Sequence, residues 1–380
     1  MSFSREDILK VLGTVIEPEQ DKDLVSLEMI KELTVSREKV SFKILLKQYN
    51  SPFKGSLRKA CTAALQQFLG DGIVLDFDFT TQSEGRTVSH ARTDERKVLP
   101  EVKNIIAIAS GKGGVGKSTV SSNLAVALAA TGAKVGLIDA DIFGPSQAKM
   151  FGLEGQVPDI QKINGRDRII PIERFGVKII SISFFIKPED ATIWRGPMAS
   201  SALKQFITDG LWGDLDYLLI DLPPGTSDIH LTVVQEMPVT GALIVTTPQD
   251  VAVADAIKGV GMFRSKQINV PILGVVENMS WFTPEELPDN RYFIFGSGGG
   301  QKLADKFEVP LLAQIPIVQG IREGGDSGNP IAVDGHEIVK AQFAALAEVL
   351  ADKIELRNAA LAPTQKVEIT NHDGCASTKK

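Results

Sequence analysis

One short segment constrains the fold of this chain more than any other. Residues 111–119 read Gly-Lys-Gly-Gly-Val-Gly-Lys-Ser-Thr, which fits the pattern G-x-x-x-x-G-K-[ST]. The segment follows an apolar run at residues 105–109 and precedes a helical pattern at residues 121–130. Glycines let backbone N–H groups turn around phosphate oxygens, and the N-terminus of the following helix adds a favourable dipole. The segment therefore predicts a phosphate-binding loop between a buried strand and a helix.

The side chains of this loop suit a nucleoside triphosphate bound with Mg²⁺. Lys117 is expected to place its positive charge on the β- and γ-phosphates, and the Ser118 hydroxyl can ligate Mg²⁺. A later apolar strand ends in Asp221, an acid suited to holding Mg²⁺ through water. The predicted nucleotide-binding residues of the loop are Gly111, Lys112, Gly113, Gly114, Val115, Gly116, Lys117, Ser118 and Thr119.

A dinucleotide-binding fold is the main alternative, because the same glycines also fit G-x-G-x-x-G. Asp139 then ends the next strand, where such a fold places a ribose-binding acid. Two features favour the triphosphate loop. The last glycine is followed at once by Lys117 and Ser118, which a dinucleotide fold does not need. The strand that ends in Asp221 adds the expected magnesium-binding acid.

The rest of the chain alternates apolar runs with helical patterns. This alternation predicts an α/β domain of the P-loop NTPase type, with a mainly parallel sheet covered by helices on both faces. A small α+β domain is expected to precede it. The predicted boundaries are residues 1–80 for the small domain, 81–100 for a linker, 101–355 for the ATPase domain and 356–380 for a disordered tail.

Charge and composition exclude several classes of protein. The net charge of -6 argues against a general nucleic-acid binder, which needs a basic face. No uninterrupted apolar stretch reaches the about 18 residues of a membrane span, and the N-terminus lacks the apolar run of a signal peptide. The two cysteines, Cys61 and Cys375, lie far apart, so a disulfide framework is not expected. A cytoplasmic protein is predicted, with neither membrane nor nucleic acid among its partners.

A second lysine inside the loop, Lys112, is typical of the deviant Walker A class of ATPases. Within that class the chain resembles the Mrp-type branch, and residues 1–80 resemble the small iron–sulfur-assembly domain often fused ahead of it. The segments that resemble the branch are 139–146 (Asp-Ala-Asp-Ile-Phe-Gly-Pro-Ser), 194–198 (Trp-Arg-Gly-Pro-Met), 221–228 (Asp-Leu-Pro-Pro-Gly-Thr-Ser-Asp), 277–280 (Glu-Asn-Met-Ser) and 294–300.

The resemblance implies an ATP-hydrolysing carrier or assembly protein for iron–sulfur clusters. It further implies slow hydrolysis and a homodimer with nucleotide near the interface, where Lys112 acts on the partner's γ-phosphate. Asp141 corresponds to the acid that orients the attacking water, and Asn278 to the asparagine that reads adenine. The catalytic set is therefore Lys112, Lys117 and Asp141. Iron–sulfur apo-proteins or assembly proteins are the implied partners.

Two positions depart from the family pattern. The family usually has Cys-x-x-Cys shortly after the Asn-Met-Ser segment, whereas residues 281–290 contain no cysteine. The small domain usually has Cys-Pro at a helix entry, and this chain has Ser51-Pro52. Because a [4Fe–4S] cluster generally needs four thiolates, we expect a weak cluster or none on the isolated protein. Any cluster that binds is expected to depend on Cys375.

The sequence leaves two interpretations open for several residues. Asp139 either contacts the Mg²⁺ shell or stabilises the loop, and Asp228 is either a helix cap or a switch residue. The glycines at 298–300 form either an anion-binding turn or a closely packed helix entry. Cys61 is expected to be a buried structural thiol.

Two other functions stay open beside that of a cluster carrier. One is a positioning ATPase of the partition or division class, and the other is a cluster-free ATP-dependent adaptor. The mixed charge of the helix predicted at residues 336–354 argues against the membrane-positioning alternative.

Overall fold

The structure is a computed structural model that divides into two compact units, Met1–Glu95 and Arg96–Lys380. Most of the expected linker, residues 82–98, lies outside the residues that it describes. The described residues are 3–17, 22–35, 39–46, 54–69, 74–81, 99–185, 196–284, 286–287, 290–335, 337–362 and 364–367.

The N-terminal unit is a small α+β fold. Its three-stranded sheet has the order β3-β4-β5, with β3 antiparallel and β5 parallel to the central strand. Alternate residues of β4 are buried, as expected for a strand with one face on a core. The elements are α1 (Arg5–Leu12), β1 (Ile16–Glu17), β2 (Lys22–Asp23), β3 (Ile30–Val35), β4 (Lys39–Leu46), α2 (Lys54–Leu69) and β5 (Val74–Thr81).

The C-terminal unit holds an eight-stranded sheet and a separate two-stranded sheet formed by residues 160–163 and 166–169. The large-unit strands are β6 (Val102–Ser110), β7 (Val135–Asp139), β8 (Ile160–Ile163), β9 (Arg166–Ile169), β10 (Ile172–Arg174), β11 (Val177–Ser181), β12 (Leu215–Asp221), β13 (Gly241–Thr246), β14 (Ile272–Phe282) and β15 (Leu311–Ile317). The helices are α3 (Lys117–Ala130), α4 (Gln147–Met150), α5 (Gly196–Asp209), α6 (Asp228–Glu236), α7 (Asp250–Phe263), α8 (Gly299–Phe307), α9 (Gln319–Ser327) and α10 (Glu337–Ala360).

The strand order of this sheet is β10-β11-β7-β12-β6-β13-β14-β15, and every neighbouring pair is parallel except β10 with β11. Successive residues of β6 face two different cores: Ile105 and Ala107 pack in one, Ile106 and Ile108 in the other. Helices therefore cover both faces of the sheet, and the predicted α/β P-loop NTPase fold is confirmed. Register places Asp221 of β12 beside Asp139 of β7, so the two acids meet at the carboxyl edge.

The structure differs from the expected tail boundary. Helix α10 continues past residue 356 to Ala360, and the Arg357 guanidinium donates to Ala362 O and Thr364 Oγ1. The N–H of Val367 donates to Val234 O of α6 at 3.0 Å. Residues 368–380 lie outside the described part of the chain. No helix among the described residues combines the length and apolar character that a membrane span requires.

Candidate nucleotide site

The loop between β6 and α3 has the backbone that its glycines predict. Gly116 is the N-cap of α3 and has a left-handed backbone, with φ 79°. At Gly111 a Cβ atom would overlap the backbone of Asp255 in α7, so only glycine fits there. The loop thus brings the N-terminus of α3 to the carboxyl edge of the sheet, where its N–H groups can receive an anion.

A buried ion pair lies at the base of the loop. Lys117 Nζ is 2.6 Å from Asp221 Oδ1, and the two side chains are 6% and 0% exposed. The Lys117 ammonium also donates to Ser118 Oγ at 3.2 Å, and Ser121 Oγ donates to Asp221 Oδ1 at 2.9 Å. The structure therefore brings together three of the predicted residues, Lys117, Ser118 and Asp221.

Asp139 holds the loop that follows β7. Its carboxylate accepts from the N–H groups of Ser146 and Gln147, both at 3.1 Å, and from Ser181 Oγ at 2.9 Å. Burial, followed by the neighbouring charge of Asp221, raises the pKa of Asp139 to about 7. Of its two interpretations, the hydrogen bonds show the one in which Asp139 stabilises the loop.

Asp141 lies in the loop that Asp139 organises. Its side chain is partly buried, and this burial raises the pKa of the carboxyl. The Lys117 charge lowers that pKa and the Asp221 charge raises it, so Asp141 lies within the electrostatic field of the ion pair. A carboxylate whose pKa is raised is a stronger proton acceptor than an exposed one.

The donor set fits a divalent cation. Asp139 and Asp141 interact electrostatically with the ion pair of Lys117 and Asp221, so three acids share one buried ammonium and added positive charge would be stabilising. The Ser118 hydroxyl and the Asp221 carboxylate are hard oxygen donors of the kind that Mg²⁺ prefers. Within the described residues no cluster of three or more His, Cys, Asp or Glu side chains could hold a metal alone. Mg²⁺ needs no such cluster, because phosphates and water supply its remaining ligands.

A cavity of about 460 Å³ adjoins the loop. Thr119, Asn278, Met279, Phe295 and Pro316 are among its lining residues. The side chain of Asn278 connects the cavity with the loop, because its Nδ2 donates to Val115 O at 2.9 Å. The cavity has the volume and mixed lining of a small-molecule site.

The backbone beside Asn278 is strained. Met279 has a left-handed φ of 56° within β14, which is uncommon for a residue other than glycine. The pairing of β14 with β15 also shifts register between Asn278 and Phe282. Such strain is often found at binding sites, and here it lies where the strand passes the cavity.

The chain matches the protein family described as "NUBPL iron-transfer P-loop NTPase" over residues 101–353. It belongs to this family. Residues 5–75 match a second family, described as "Iron-sulfur cluster assembly protein". Both matches agree with the branch and the fused domain expected from the sequence.

Similar proteins align with most of the chain. The iron–sulfur cluster carrier proteins of Synechocystis sp. and Deinococcus radiodurans are each 44% identical to it, over 93% and 94% of this chain and 99% and 98% of theirs. A nucleotide-binding protein from Archaeoglobus fulgidus, solved in complex with ADP, is 38% identical with a TM-score of 0.52. That match covers 61% of this chain and 88% of the other.

Lys112, the second lysine of the loop, lies apart from the ion pair. Its side chain is exposed, and only its backbone is held, by a hydrogen bond from Ser110 Oγ to Lys112 O at 3.1 Å. The structure therefore does not bring Lys112 to Lys117 and Asp221 within one chain. An exposed lysine on the phosphate loop is free to contact a partner molecule.

Asp228 and the glycines at 298–300 also have defined places. Ser227, rather than Asp228, is the N-cap of α6, and its N–H donates to His230 Nδ1 at 3.1 Å. Gly300 N donates to the buried Glu277 carboxylate at 2.5 Å, and a Cβ at Gly300 would crowd that side chain. The entry of helix α8 is therefore closely packed, and its backbone N–H binds the side chain of Glu277 from the same chain.

The described part of the large unit contains no cysteine. Cys61 is fully buried in α2 of the N-terminal unit, as expected, and burial raises its pKa to about 12. At that pKa the thiol stays protonated near neutral pH and is a poor metal ligand. Cys375 lies outside the described residues.

The sequence interpretation missed Gln147. Its Nε2 donates to Asp221 Oδ2 at 2.8 Å and to Ser118 O at 3.1 Å. A long polar side chain shortly after a predicted site acid was the available signal. The amide has no charge to distinguish it, and its partners are distant in the sequence.

Proposed function

We propose that this chain is a cytoplasmic ATPase that binds ATP with Mg²⁺, hydrolyses it slowly and acts as a nucleotide-gated homodimer carrying iron–sulfur clusters to apo-proteins. The observation that supports the ATPase best is the buried contact of Lys117 with Asp221 and Ser118 beside a cavity of about 460 Å³. The carrier function rests on the family and on the names of its relatives.

In this proposal the phosphates lie on the loop and the nucleoside lies in the cavity. The Lys117 ammonium moves from Asp221 to the phosphate oxygens and neutralises their charge. Ser118 and Asp221 would hold Mg²⁺, which supplies further positive charge to the phosphates when bound. Asp141, whose carboxyl has a raised pKa because it is partly buried, orients the attacking water.

Adenine recognition follows from the hydrogen bond that already fixes Asn278. Because its Nδ2 is used by Val115 O, its Oδ1 is left to accept a hydrogen bond from the base. Adenine offers an exocyclic amine there, whereas guanine offers a carbonyl oxygen that cannot donate. An unpaired buried acceptor costs about 1–3 kcal/mol, so a preference for ATP over GTP of about tenfold to a hundredfold is expected.

Calorimetric titration of the full chain with ATP and with GTP, both with Mg²⁺, tests this proposal. Asn278→Ala should remove the preference, whereas Asn358→Ala, an exposed asparagine on α10, should keep it. Equal affinity of the unsubstituted protein for the two nucleotides would refute adenine reading by Asn278. Failure to bind either nucleotide would refute the ATPase itself.

The carrier function needs a separate test. Iron, sulfide and an apo-protein that accepts a [4Fe–4S] cluster are mixed anaerobically, with and without this protein and with and without ATP. A carrier transfers the cluster faster than free iron and sulfide do, and ATP changes the rate. Equal rates with and without the protein would favour the cluster-free adaptor.

The positioning alternative is disfavoured by the packing of α10. This helix buries Val339, Phe343, Leu346 and Leu350 against the core of the large unit. A helix that binds a membrane surface needs a free apolar face. The buried apolar face of α10 is already used inside the fold, and on its exposed side the apolar residues Ile338, Val349 and Leu356 are interspersed with Glu348, Asp352 and Glu355.

A further inference from the structure

Gln147 is a fully buried polar residue between the two acids of the site. Its backbone N–H donates to Asp139 Oδ2 at 3.1 Å, while its side-chain Nε2 donates to Asp221 Oδ2 at 2.8 Å. Nε2 also donates to Ser118 O at 3.1 Å. One residue therefore connects the ends of β7 and β12 with the first turn of α3.

These contacts fix the orientation of the Gln147 amide. Both side-chain partners are acceptors, so only the NH₂ end of the amide can face them. The other end, Oε1, is buried and has no hydrogen-bond partner among the described residues. The neighbouring Ser146 Oγ is buried and equally without a partner there. Buried acceptors are rarely left unpaired, so this oxygen points to a donor that the protein itself does not supply.

The chemistry of the surroundings identifies that donor. Oε1 belongs to the same amide that contacts Asp221 and the Ser118 carbonyl, the two residues whose side chains suit Mg²⁺. Mg²⁺ dehydrates reluctantly and keeps several water molecules in protein sites. Each metal-bound water donates hydrogen bonds, and partners outside the first coordination shell orient the ligands and tune the site.

We propose that Gln147 is a positioning residue of the cation site, which holds the Asp221 carboxylate through Nε2 and accepts a hydrogen bond from metal-bound water through Oε1. This inference rests on the proposed function, because it needs nucleotide to bind with Mg²⁺. Gln147 contacts neither the phosphates nor the reacting atoms. It acts through Asp221 and through the hydration shell of the cation.

The inference also explains how the cation can influence the nucleoside cavity. Gln147 begins α4, and Lys149 and Met150 of the same short helix line that cavity. A cation that tightens the Gln147 contacts would therefore hold one wall of the cavity in place. Nucleotide affinity should then rise with Mg²⁺ in the unsubstituted protein.

The test is a calorimetric measurement of ATP affinity in the full chain, repeated over a series of Mg²⁺ concentrations. Gln147→Leu keeps the approximate volume of the side chain and removes both polar ends. Gln156→Leu makes the same change at an exposed position. Loss of an outer-shell partner typically weakens metal binding about tenfold to a hundredfold, so the half-saturating Mg²⁺ concentration should rise by about tenfold or more in Gln147→Leu. Its ATP affinity without Mg²⁺ should stay within about twofold, and Gln156→Leu should match the unsubstituted protein.

The outcomes separate this inference from its alternatives. An unchanged Mg²⁺ dependence in folded Gln147→Leu overturns it, and so does an equal loss of ATP affinity with and without Mg²⁺, which indicates packing alone. If Gln147→Leu does not fold, the Mg²⁺ dependence of ATP affinity is measured in Gln147→Asn instead. This variant keeps the amide on a shorter stem, and a Mg²⁺ dependence like that of the unsubstituted protein overturns the inference. Absence of Mg²⁺-dependent ATP binding in the unsubstituted protein refutes the proposed function instead.

Discussion

Two regions at the carboxyl edge of the same sheet differ sharply. On the phosphate side, Lys117, Asp139 and Asp221 are buried and held by specific hydrogen bonds. In the segment that follows β14, the side chains of Tyr292 and Ile294 are 44% and 61% exposed. That segment is closed by backbone hydrogen bonds between Phe282 and Tyr292, both at 2.8 Å, and by Arg291 packed over the Trp281 ring.

The difference indicates that nucleotide binding and cluster binding belong to separate regions of this edge. The phosphate side already holds its charged groups in one buried network, and in the proposed function the Lys117 ammonium changes its partner from Asp221 to the phosphates when ATP binds. The segment after β14 lies where the family usually has its cysteines, and it contains no thiol between residues 281 and 290. We infer that a single chain contains a nearly complete ATP site and an incomplete site for a cluster.

The largest effect should come from removing the buried cation of the phosphate side. Lys117→Ala should abolish detectable ATP binding by calorimetry, because Lys117 is the only buried lysine among the described residues. It should also destabilise the protein by about 3–5 kcal/mol, since Asp221 would be left as an unpaired buried charge. Lys162→Ala, at an exposed position, is the control. Unchanged ATP affinity in Lys117→Ala would show that the phosphate side does not bind ATP through Lys117.

Asp141→Ala should separate binding from turnover on the phosphate side. Its ATP affinity should stay within about threefold, whereas hydrolysis, measured as phosphate release, should fall by about a hundredfold or more. Asp159→Ala changes an exposed acid and should leave both quantities unchanged. If Asp141→Ala keeps its full turnover, another group must orient the water.

Lys112→Ala tests whether the phosphate side is completed by a second chain. An exposed lysine should contribute little to ATP binding in its own chain but should stabilise charge on the partner's phosphates, so hydrolysis should fall by about tenfold or more. Mixing Lys112→Ala with Asp141→Ala chains should restore part of the activity, because one site of the mixed dimer then has both groups. Failure to recover activity at any mixing ratio would contradict action across an interface.

The absence of thiols from residues 281–290 predicts weak iron binding. After anaerobic reconstitution, the isolated protein should hold little iron, and Cys375→Ser should remove what remains. Cys61→Ala should have no effect on bound iron, because the Cys61 thiol is buried with its pKa raised to about 12. About four irons per dimer that resist a chelator and persist in Cys375→Ser would show that the cluster site is complete after all.

The sequence predicted the parts of the site that depend on local chemistry. The loop at 111–119 and the strand-end acid Asp221 were predictable because their residue types and flanking apolar runs are visible in short windows. Gln147 was not, because its partners Ser118 and Asp221 lie far away in the sequence and meet only when the sheet forms. Strand β15 is hard to predict from the sequence, because it is only partly buried and contains Pro316. Such an edge strand lacks the continuous apolar run of its neighbours.

The smallest expected effect is a pH dependence of protein stability that comes from helix α6, which flanks the phosphate side. His230 in the first turn of α6 is fully buried, and burial lowers its pKa to about 4. Its Nδ1 must be unprotonated to accept from the Ser227 N–H, which caps the helix. Because the unfolded chain binds a proton near pH 6.5 and the folded chain does not, stability is lost as pH falls from about 6.5 towards 4. With these two pKa values the loss at pH 5 is about 2 kcal/mol.

His230→Gln isolates this contribution, because glutamine can cap the same N–H but does not titrate in this range. Urea unfolding at pH 7 and pH 5 should show that the unsubstituted protein loses about 2 kcal/mol more than the variant. Asp139 acts in the opposite direction, since its raised pKa makes the folded state bind a proton up to about pH 7, but it is present in both proteins and cancels in the difference. Equal losses in the two proteins would mean that folding does not lower the pKa of His230. The cap of α6 would then depend on Ser227 alone.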